Sequence, residues 1–378
     1  MRVHRASSYA FSSVLLFSTG QASAQEGATV ARAIEQLGSE SPAERARARS
    51  TILQLGKPGL DAVRRAIHAP AEVCAAEHLF VIAEELGRER RTIHFTLSKD
   101  LGEKSWSVAW SGEQLATLKD PSGIVRILDA DLKPTGNHFG HHTSYFAYDP
   151  KGKSLAYNHG ADEVMLVECK TDRRVTIPVP DRPRVAWSPD GRHIATGGYG
   201  LCVEMWSVAN GASVRRFRVQ GAEGGLTPVF SPDSKRLVVG NRNDKTYVFD
   251  VESGNVVHVL DRPMTQQPAF SPDGTLLAIG YVDGQIGIWN VATGRLEKLL
   301  DGEGKEVFTV SWSPDGKILA SAGLSGPIVI WSRQHLARLH ALDPGSERTF
   351  CLAFRPDGKV LVAAGNQTTR TWTIESTR

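Results

Sequence analysis

One phrase recurs along most of the chain and constrains its fold more than any other feature. In Ala269-Phe270-Ser271-Pro272-Asp273-Gly274, two apolar residues end a short strand and four residues then have the composition of a tight turn. Proline presets φ for the second turn position, aspartate suits the third, and glycine accepts the left-handed conformation that follows. Strand-like runs follow at residues 276–280, 286–289 and 295–300, which predicts a four-stranded meander of about 40 residues.

The copies of this phrase are evenly spaced. Their first positions are residues 111, 149, 188, 231, 271, 313 and 355, which lie 38 to 43 residues apart. Such a period with four strands per unit is typical of a β-propeller. Residues 92–378 divide into seven units of about 41 residues. We therefore predict an all-β, seven-bladed β-propeller with four-stranded antiparallel blades.

The third strand of several units ends in an aromatic residue followed by a polar one. The pairs are Trp206-Ser207, Phe249-Asp250, Trp289-Asn290, Trp331-Ser332 and Trp372-Thr373. They resemble the Trp-Asp position of the WD40-repeat family, and Gly140-His141 resembles the Gly-His dipeptide of that family. The resemblance covers residues 92–378 and implies a ring that binds proteins or peptides at the rim of its channel. Because no unit has an intact Trp-Asp pair, we expect the polar network inside the blades to be incomplete.

The two ends of the repeat region complement each other. The seventh unit stops after its third strand, near Ile374, whereas residues 92–97 alternate like a spare strand ahead of the first unit. Pairing the spare strand with the last unit would close the ring and remove an exposed edge. We predict this closure.

The first 24 residues have the pattern of a secretory signal. Arg2 and Arg5 precede a short apolar core at residues 9–17, and Ala22-Ser23-Ala24 is a small-residue cleavage site. The alternative is a disordered or helical N-terminus. We predict cleavage after Ala24 and a location in the periplasm or outside the cell. No later apolar run is long enough to span a bilayer.

Residues 26–90 have helical periodicity. Ser41-Pro42-Ala43-Glu44 is a helix start, and Gly38, Gly56 and Gly87 end successive apolar faces. The short helix-turn-helix units resemble HEAT-type repeats. So few units cannot bury their own apolar faces, so we expect them to pack on the propeller or on a partner.

The charge balance gives no reason to expect nucleic acid or an anionic membrane as a partner, and we predict no nucleic-acid partner. The formal net charge is +3, and removal of Arg2 and Arg5 leaves +1. Cys74 lies in a helical segment, and the other three cysteines lie in different repeat units, so we expect free thiols. The oligomeric state and the identity of the partner stay open.

No residue pattern indicates catalysis, and we predict no cofactor and no metal. His138, His141 and His142 form a cluster, but the spacing supplies no third and fourth ligand, and His141 matches a blade position of the family. Nucleophile elbows, phosphate loops and paired His-Glu motifs are missing from the sequence.

Two functional classes follow. The favoured one is a non-catalytic protein–protein interaction platform of the cell envelope or exterior. The alternative is a propeller enzyme or a small-ligand-binding protein that acts at the channel mouth. We predict that one face collects loop residues dissimilar in type, as a surface fitted to a polypeptide would be. The residues are Trp106, Lys119, Tyr145, His159, Arg184, Tyr199, Arg242, Gln267, Tyr281, Phe350 and Asn366.

Overall fold

The computed structural model describes most of the repeat region. The described ranges are 93–119, 122–140, 143–179, 183–198, 202–219, 225–240, 245–265, 267–302 and 306–376. Before residue 93 it describes only the isolated positions Arg32, Ala33, Gln36, Ala48 and Thr51. Apart from these positions, the predicted signal peptide and helical segment lie outside the described residues.

The described strands form seven four-stranded sheets, and each sheet is one blade. In blades 1 to 3 the strands run in chain order from the inner to the outer edge. Blade 1 contains β2 (Ser105–Ser111), β3 (Gln114–Lys119), β4 (Ile124–Leu128) and β5 (Pro134–Phe139). Blade 2 contains β6 (Phe146–Tyr148), β7 (Ser154–His159), β8 (Glu163–Glu168) and β9 (Arg174–Pro178). Blade 3 contains β10 (Arg184–Trp187), β11 (His193–Gly197), β12 (Cys202–Ser207) and β13 (Ser213–Arg218).

Blades 4 to 6 repeat this order. Blade 4 contains β14 (Thr227–Phe230), β15 (Arg236–Gly240), β16 (Thr246–Asp250) and β17 (Val256–Leu260). Blade 5 contains β18 (Ala269–Phe270), β19 (Leu276–Gly280), β20 (Gln285–Asn290) and β21 (Leu296–Asp301). Blade 6 contains β22 (Val307–Trp312), β23 (Ile318–Gly323), β24 (Ile328–Ser332) and β25 (Ala337–Leu342). The predicted seven-bladed architecture is confirmed.

Blade 7 closes the ring as the sequence predicted. It contains β26 (Thr349–Phe354), β27 (Val360–Gly365) and β28 (Thr369–Ser376), and its outer strand is β1 (Ile93–Asp100) from the start of the repeat region. The Ser98 hydroxyl donates to the carbonyl of Thr371 at 3.0 Å. Arg370 and Asp100 form an ion pair at 2.8 Å. The strand therefore runs three residues further than the predicted 92–97, and it removes the open edge of β28.

The apolar core lies between neighbouring blades. One cluster joins blades 3 and 4 and includes Phe217 and Phe249, whose rings meet edge to face at a centroid distance of 5.4 Å. Similar clusters lie between blades 1 and 2, 2 and 3, 4 and 5, 5 and 6, and 7 and 1. Because the middle strands are covered on both faces, their sequences are continuous apolar runs, such as Leu276–Gly280.

Tryptophan side chains make hydrogen bonds both between blades and within blades. On the inner strands, the indole N–H groups of Trp110, Trp187 and Trp312 donate to carbonyls of a neighbouring blade at 3.1 to 3.3 Å. On the third strands, Trp206 and Trp331 donate to Thr196 and Ser321 of their own blades at 2.8 and 2.9 Å. These third-strand bonds connect the tryptophan to the second strand of the same blade.

The recurrent turn is held by its serine and aspartate. In blade 5 the Ser271 hydroxyl donates to Asp273 at 2.6 Å and accepts from the backbone N–H of Leu276 at 2.9 Å. Gly274 has φ +71°, a conformation that glycine adopts without strain. The same serine–aspartate bond occurs at residues 188, 231 and 313. The turn chemistry inferred from the sequence is confirmed at these positions.

Candidate binding surface at the channel mouth

One repeat position recurs in every blade at or near the start of the inner strand. It lies three residues before the aromatic residue that ends each inner strand, for example Arg184 before Trp187 and Gln267 before Phe270. We call these residues the channel ring. In blade order the channel ring is Ser107, Tyr145, Arg184, Thr227, Gln267, Thr309 and Cys351.

Hydrogen bonds join the channel ring between blades. The Thr309 hydroxyl donates to the side-chain oxygen of Gln267 at 3.1 Å and accepts from the backbone N–H of Leu352 at 3.3 Å. The Cys351 thiol donates to the carbonyl of Val108 at 3.4 Å. Blades 5, 6, 7 and 1 are therefore linked at this level, and the side chains of Thr309 and Cys351 are already engaged.

Three successive blades carry an aromatic residue just before the channel ring. These residues are Phe308 in blade 6, Phe350 in blade 7 and Trp106 in blade 1. In each blade the register between the first and second strands shifts at this residue, which marks a β-bulge. A bulge re-aims a side chain relative to the regular pleat. The inner strands of blades 2 to 5 show no such shift among the described residues.

The bulged aromatic residues form a continuous stack. The rings of Trp106 and Phe350 are nearly parallel, at 19°, with centroids 4.4 Å apart, and Phe308 lies 6.1 Å from Phe350. Exposure rises along the stack: Phe308 is 7% exposed, Phe350 is half-buried, and Trp106 is 49% exposed. Trp106 is therefore an exposed aromatic surface stacked on half-buried Phe350, which in turn packs against buried Phe308.

Arg184 is the charged member of the channel ring. Its guanidinium lies 5.0 Å from the centroid of the Tyr145 ring, within the range of a cation–π interaction, and it donates to the hydroxyl of Thr227. The backbone N–H of Tyr145 is fixed by Asn158 at 2.7 Å. At Gly197 a Cβ would lie 2.5 Å from the carbonyl oxygen of Leu226, so glycine permits the approach of the segment that carries Thr227.

A cavity opens along the channel beside these residues. Its volume is about 390 Å³, and channel-ring residues of blades 1 to 5 line it. Apolar residues of the inner strands, including Trp187 and Phe230, also line it. A concave site that combines apolar walls with fixed polar groups is the usual form of a binding site.

The predicted partner-binding residues divide into several groups. The structure brings Tyr145, Arg184 and Gln267 together in the channel ring, and it places Trp106 and Phe350 in contact beside it. Lys119 ends β3 opposite Ser105, at the same edge of blade 1, and lies 4.0 Å from Glu103. His159 is exposed at the end of β7, with its ring edge-on to Tyr157.

Asn366 has a structural role. Its side-chain oxygen accepts from the backbone N–H of Arg348 at 3.0 Å, and its own N–H donates to the Arg348 carbonyl at 3.0 Å. Asn158 holds the loop before Tyr145 in a similar way, with its oxygen 2.8 Å from the N–H of Ser144. Asn366 thus fixes the loop that leads to Phe350 in blade 7.

Tyr281 does not belong to the exposed surface, and this part of the prediction is wrong. Its side chain is 2% exposed because Arg262 covers the ring at 4.1 Å, and its hydroxyl accepts from the Trp289 indole at 2.6 Å. Burial raises the pKa of Tyr281 to about 12. The half-buried Arg262, from the segment between blades 4 and 5, lies over this position and pairs with Asp283.

Two predicted residues, Tyr199 and Arg242, lie outside the described residues, as do His141 and His142 of the histidine cluster. His138 is described and exposed, and its Nδ1 lies 3.1 Å from the carbonyl of Gly136. Within the described ranges no three histidine, cysteine or acidic side chains come together as a metal site would require.

Phe308 and Thr227 were missed by the sequence reasoning. Both could have been found from the repeat, because Phe308 stands four residues before Trp312 as Trp106 stands before Trp110. Thr227 stands three residues before Phe230, as Arg184 stands three residues before Trp187. Aligning the units on the last aromatic residue of the inner strand, rather than on the turn, shows both positions.

The described thiols are free. Cys169 and Cys202 are half-buried, and Cys351 is buried. Burial raises the pKa of the Cys351 thiol and of the Cys169 thiol. Reactive cysteines have lowered pKa values, so these two groups have the character of packing residues.

Comparison with known proteins agrees with the repeat architecture. A model of the WD domain, G-beta repeat, matches residues 184–207, which are most of blade 3. A model of eukaryotic translation initiation factor eIF2A matches residues 228–325, from blade 4 into blade 6. No curated protein gives a significant match. The described residues contain no helix long and apolar enough to cross a membrane. The seven-bladed ring and the two family matches together support a WD40-repeat β-propeller.

Proposed function

We propose that this protein is a non-catalytic interaction platform that binds a polypeptide partner at the channel mouth. The observation that carries the proposal is the exposed indole of Trp106, stacked on Phe350 at 4.4 Å. Tryptophan, tyrosine and arginine dominate the binding energy of most protein interfaces, and they do so where their surroundings hold them rigid. Trp106, Tyr145 and Arg184 meet both conditions within one mouth.

The other face of the ring offers fewer anchors. It is formed by the Ser-Pro-Asp-Gly turns, whose aspartates are engaged with the neighbouring serines and backbone N–H groups. Lys235 and Lys317 are exposed there, but long lysine side chains contribute little to most interfaces. The contrast between the faces supports the channel mouth as the binding side.

We place this platform in the cell envelope or outside the cell, on the basis of the signal-like residues 1–24. The match to the initiation-factor family lies within strands of blades 4 to 6, so it reflects the propeller repeat and carries no translation role to this chain. N-terminal sequencing of the native protein tests export. A mature chain beginning at Gln25 supports it, and a cytoplasmic chain that still begins at Met1 rejects it.

The cavity supports a second candidate function. Its volume of about 390 Å³ is enough for a small ligand, so the channel could serve a small-molecule-binding protein or an enzyme. The two candidates differ in what they need from Trp106. A polypeptide that lies across the mouth would contact the indole, whereas a small ligand in the cavity would contact the cavity lining, which does not include Trp106.

Capture of the partner tests the proposal. The full-length protein and its Trp106→Ala variant would be immobilised and exposed to the envelope fraction of the native cells, and bound proteins would be quantified by mass spectrometry. Val214→Ala is a matched control, because Val214 is similarly exposed, at 46%, on the outer strand of blade 3. A polypeptide that is lost with Trp106→Ala and kept with Val214→Ala supports the proposal. Equal capture by all three proteins rejects it.

A further inference from the structure

The charge of the channel is unbalanced. Among the described residues that line the cavity, Arg184 is the only charged side chain, and the remainder are apolar, aromatic, hydroxyl or amide groups. A cation inside a cavity, with protein on several sides, attracts an anion more strongly than a cation in open water does. The cavity is therefore suited to a ligand group with a single negative charge.

The guanidinium is held before any ligand arrives. Tyr145 lies on one side of it, Thr227 accepts one of its N–H groups, and a Cβ at Gly225 would lie 3.5 Å from it. Arginine has five N–H donors in a planar fork, and among the described residues only the Thr227 hydroxyl accepts from them. The free donors match the two oxygens of a carboxylate, which arginine binds in a bidentate way.

The aromatic stack is connected to the cavity through β2. Ser107 lines the cavity, and Trp106 precedes it on the same bulge of β2. A segment whose carboxylate reaches Arg184 would thus pass beside an exposed indole. The same segment could then be recognised both by its carboxylate, at Arg184, and by an apolar side chain, at Trp106.

From this arrangement we infer that the channel binds a polypeptide through a carboxylate received by Arg184, with an apolar or aromatic residue of the same segment on Trp106. This inference rests on the proposed function and specifies the chemistry of the partner. The carboxylate could belong to an aspartate or glutamate side chain or to a chain terminus. Both sources present the same group to Arg184.

The test uses the full-length protein and three pools of nonapeptides with randomised apolar and aromatic positions. One pool carries a central glutamate and an amidated C-terminus. The second has a free C-terminus and no acidic residue, and the third is amidated and has no acid. Binding is followed by the ¹⁵N–¹H resonance of the Arg184 side chain in arginine-labelled protein, assigned by its loss in Arg184→Met.

We expect a saturable shift of the Arg184 resonance with at least one carboxylate pool and no shift with the uncharged pool. The pool that binds identifies the source of the carboxylate. Arg184→Met should weaken binding at least 10-fold, Arg184→Lys should weaken it less because the charge remains, and Arg218→Met on the outer strand should leave it unchanged. Equal binding of the uncharged pool, or no shift with either carboxylate pool at millimolar concentration, overturns the inference.

Two variants separate this inference from the proposed function. If capture of the native partner is lost with Trp106→Ala but kept with Arg184→Met, the channel mouth is the binding site and the carboxylate inference is wrong. If capture survives both changes, the proposed function itself fails. Thermal melting of both variants would show that each remains folded.

Discussion

The indole of Trp106 and the phenyl ring of Phe350 stack at 4.4 Å, although one belongs to the first blade of the ring and the other to the last. Both residues stand at β-bulges, so the contact depends on two local irregularities and on closure of the ring between them. The seam where the ring closes therefore coincides with the most exposed aromatic surface at the channel mouth.

Trp106 should be removable at little cost to folding. Its ring is half exposed, so we expect Trp106→Ala to lower the free energy of unfolding by about 1 kcal/mol or less. Phe308 is 7% exposed, so Phe308→Ala should lower the free energy of unfolding by about 3 kcal/mol or more. Urea unfolding of the two variants checks this order. Equal losses would show that the stack is a single packing unit and that Trp106 is not a clean probe of binding.

Tyr281 should behave as a core residue. Tyr281→Phe removes the oxygen that accepts from Trp289 at 2.6 Å and leaves a buried indole N–H without its partner, so we expect a loss of about 1–3 kcal/mol. The double variant Tyr281→Phe/Trp289→Phe should lose less free energy of unfolding than the sum of the losses in the two single variants. Denaturant unfolding of the four proteins of this cycle measures the coupling. Strict additivity would contradict the hydrogen bond.

Closure by β1 should be required for a stable ring. A chain that begins at Leu101 lacks the outer strand of blade 7 and its contacts with Thr371 and Arg370. The truncation should lower the free energy of unfolding by several kcal/mol, a large share of the ~5–15 kcal/mol that is typical of folded proteins. A chain that begins at Glu89 keeps β1 and should fold. Indistinguishable melting temperatures for the two chains would exclude a stabilising role for the strand.

The turn aspartates should make the ring sensitive to acid. At Asp273 partial burial alone would raise the pKa, but hydrogen bonds from Ser271, Arg333 and Thr275 outweigh it and hold the pKa well below 3.8. The pKa values of Asp190, Asp233 and Asp315 are lowered for similar reasons. The unfolded chain then binds protons more readily, so this stabilisation is present above about pH 4 and is lost as the pH falls.

Urea unfolding at pH 6 and pH 3 measures this dependence. The midpoint should be lower at pH 3, and the difference between the two pH values should shrink in Asp273→Asn and shrink further in Asp273→Asn/Asp315→Asn. A difference that stays the same in both variants would show that other groups determine acid unfolding.

The repeat made the architecture predictable. The turn phrase fixes both the period and the strand order, because its proline, aspartate and glycine each require one backbone conformation. The unmatched strands at the two ends then implied ring closure, and β1 pairs with β28 as expected. These features depend on local chemistry and on the count of strands, which a sequence contains directly.

The channel mouth was predictable only in part. Tyr281 follows the second strand, as exposed loop residues do, and its burial comes from Arg262, a residue outside its own hairpin. The bulges at Trp106, Phe308 and Phe350 change where side chains point, and they arise from pairing between strands rather than from a residue pattern. Contacts of this kind appear only once the blades are assembled.

Binding of a captured polypeptide by face-specific variants tests the central claim most directly. The dissociation constant would be measured for the wild type, for Trp106→Ala and for Lys235→Ala/Lys317→Ala, whose lysines lie on the turn face. We predict at least 10-fold weaker binding with Trp106→Ala, about 1.4 kcal/mol, and a change of less than about twofold with the lysine variant. Normal affinity with Trp106→Ala and loss of binding with the lysine variant would place the partner on the opposite face and contradict the account.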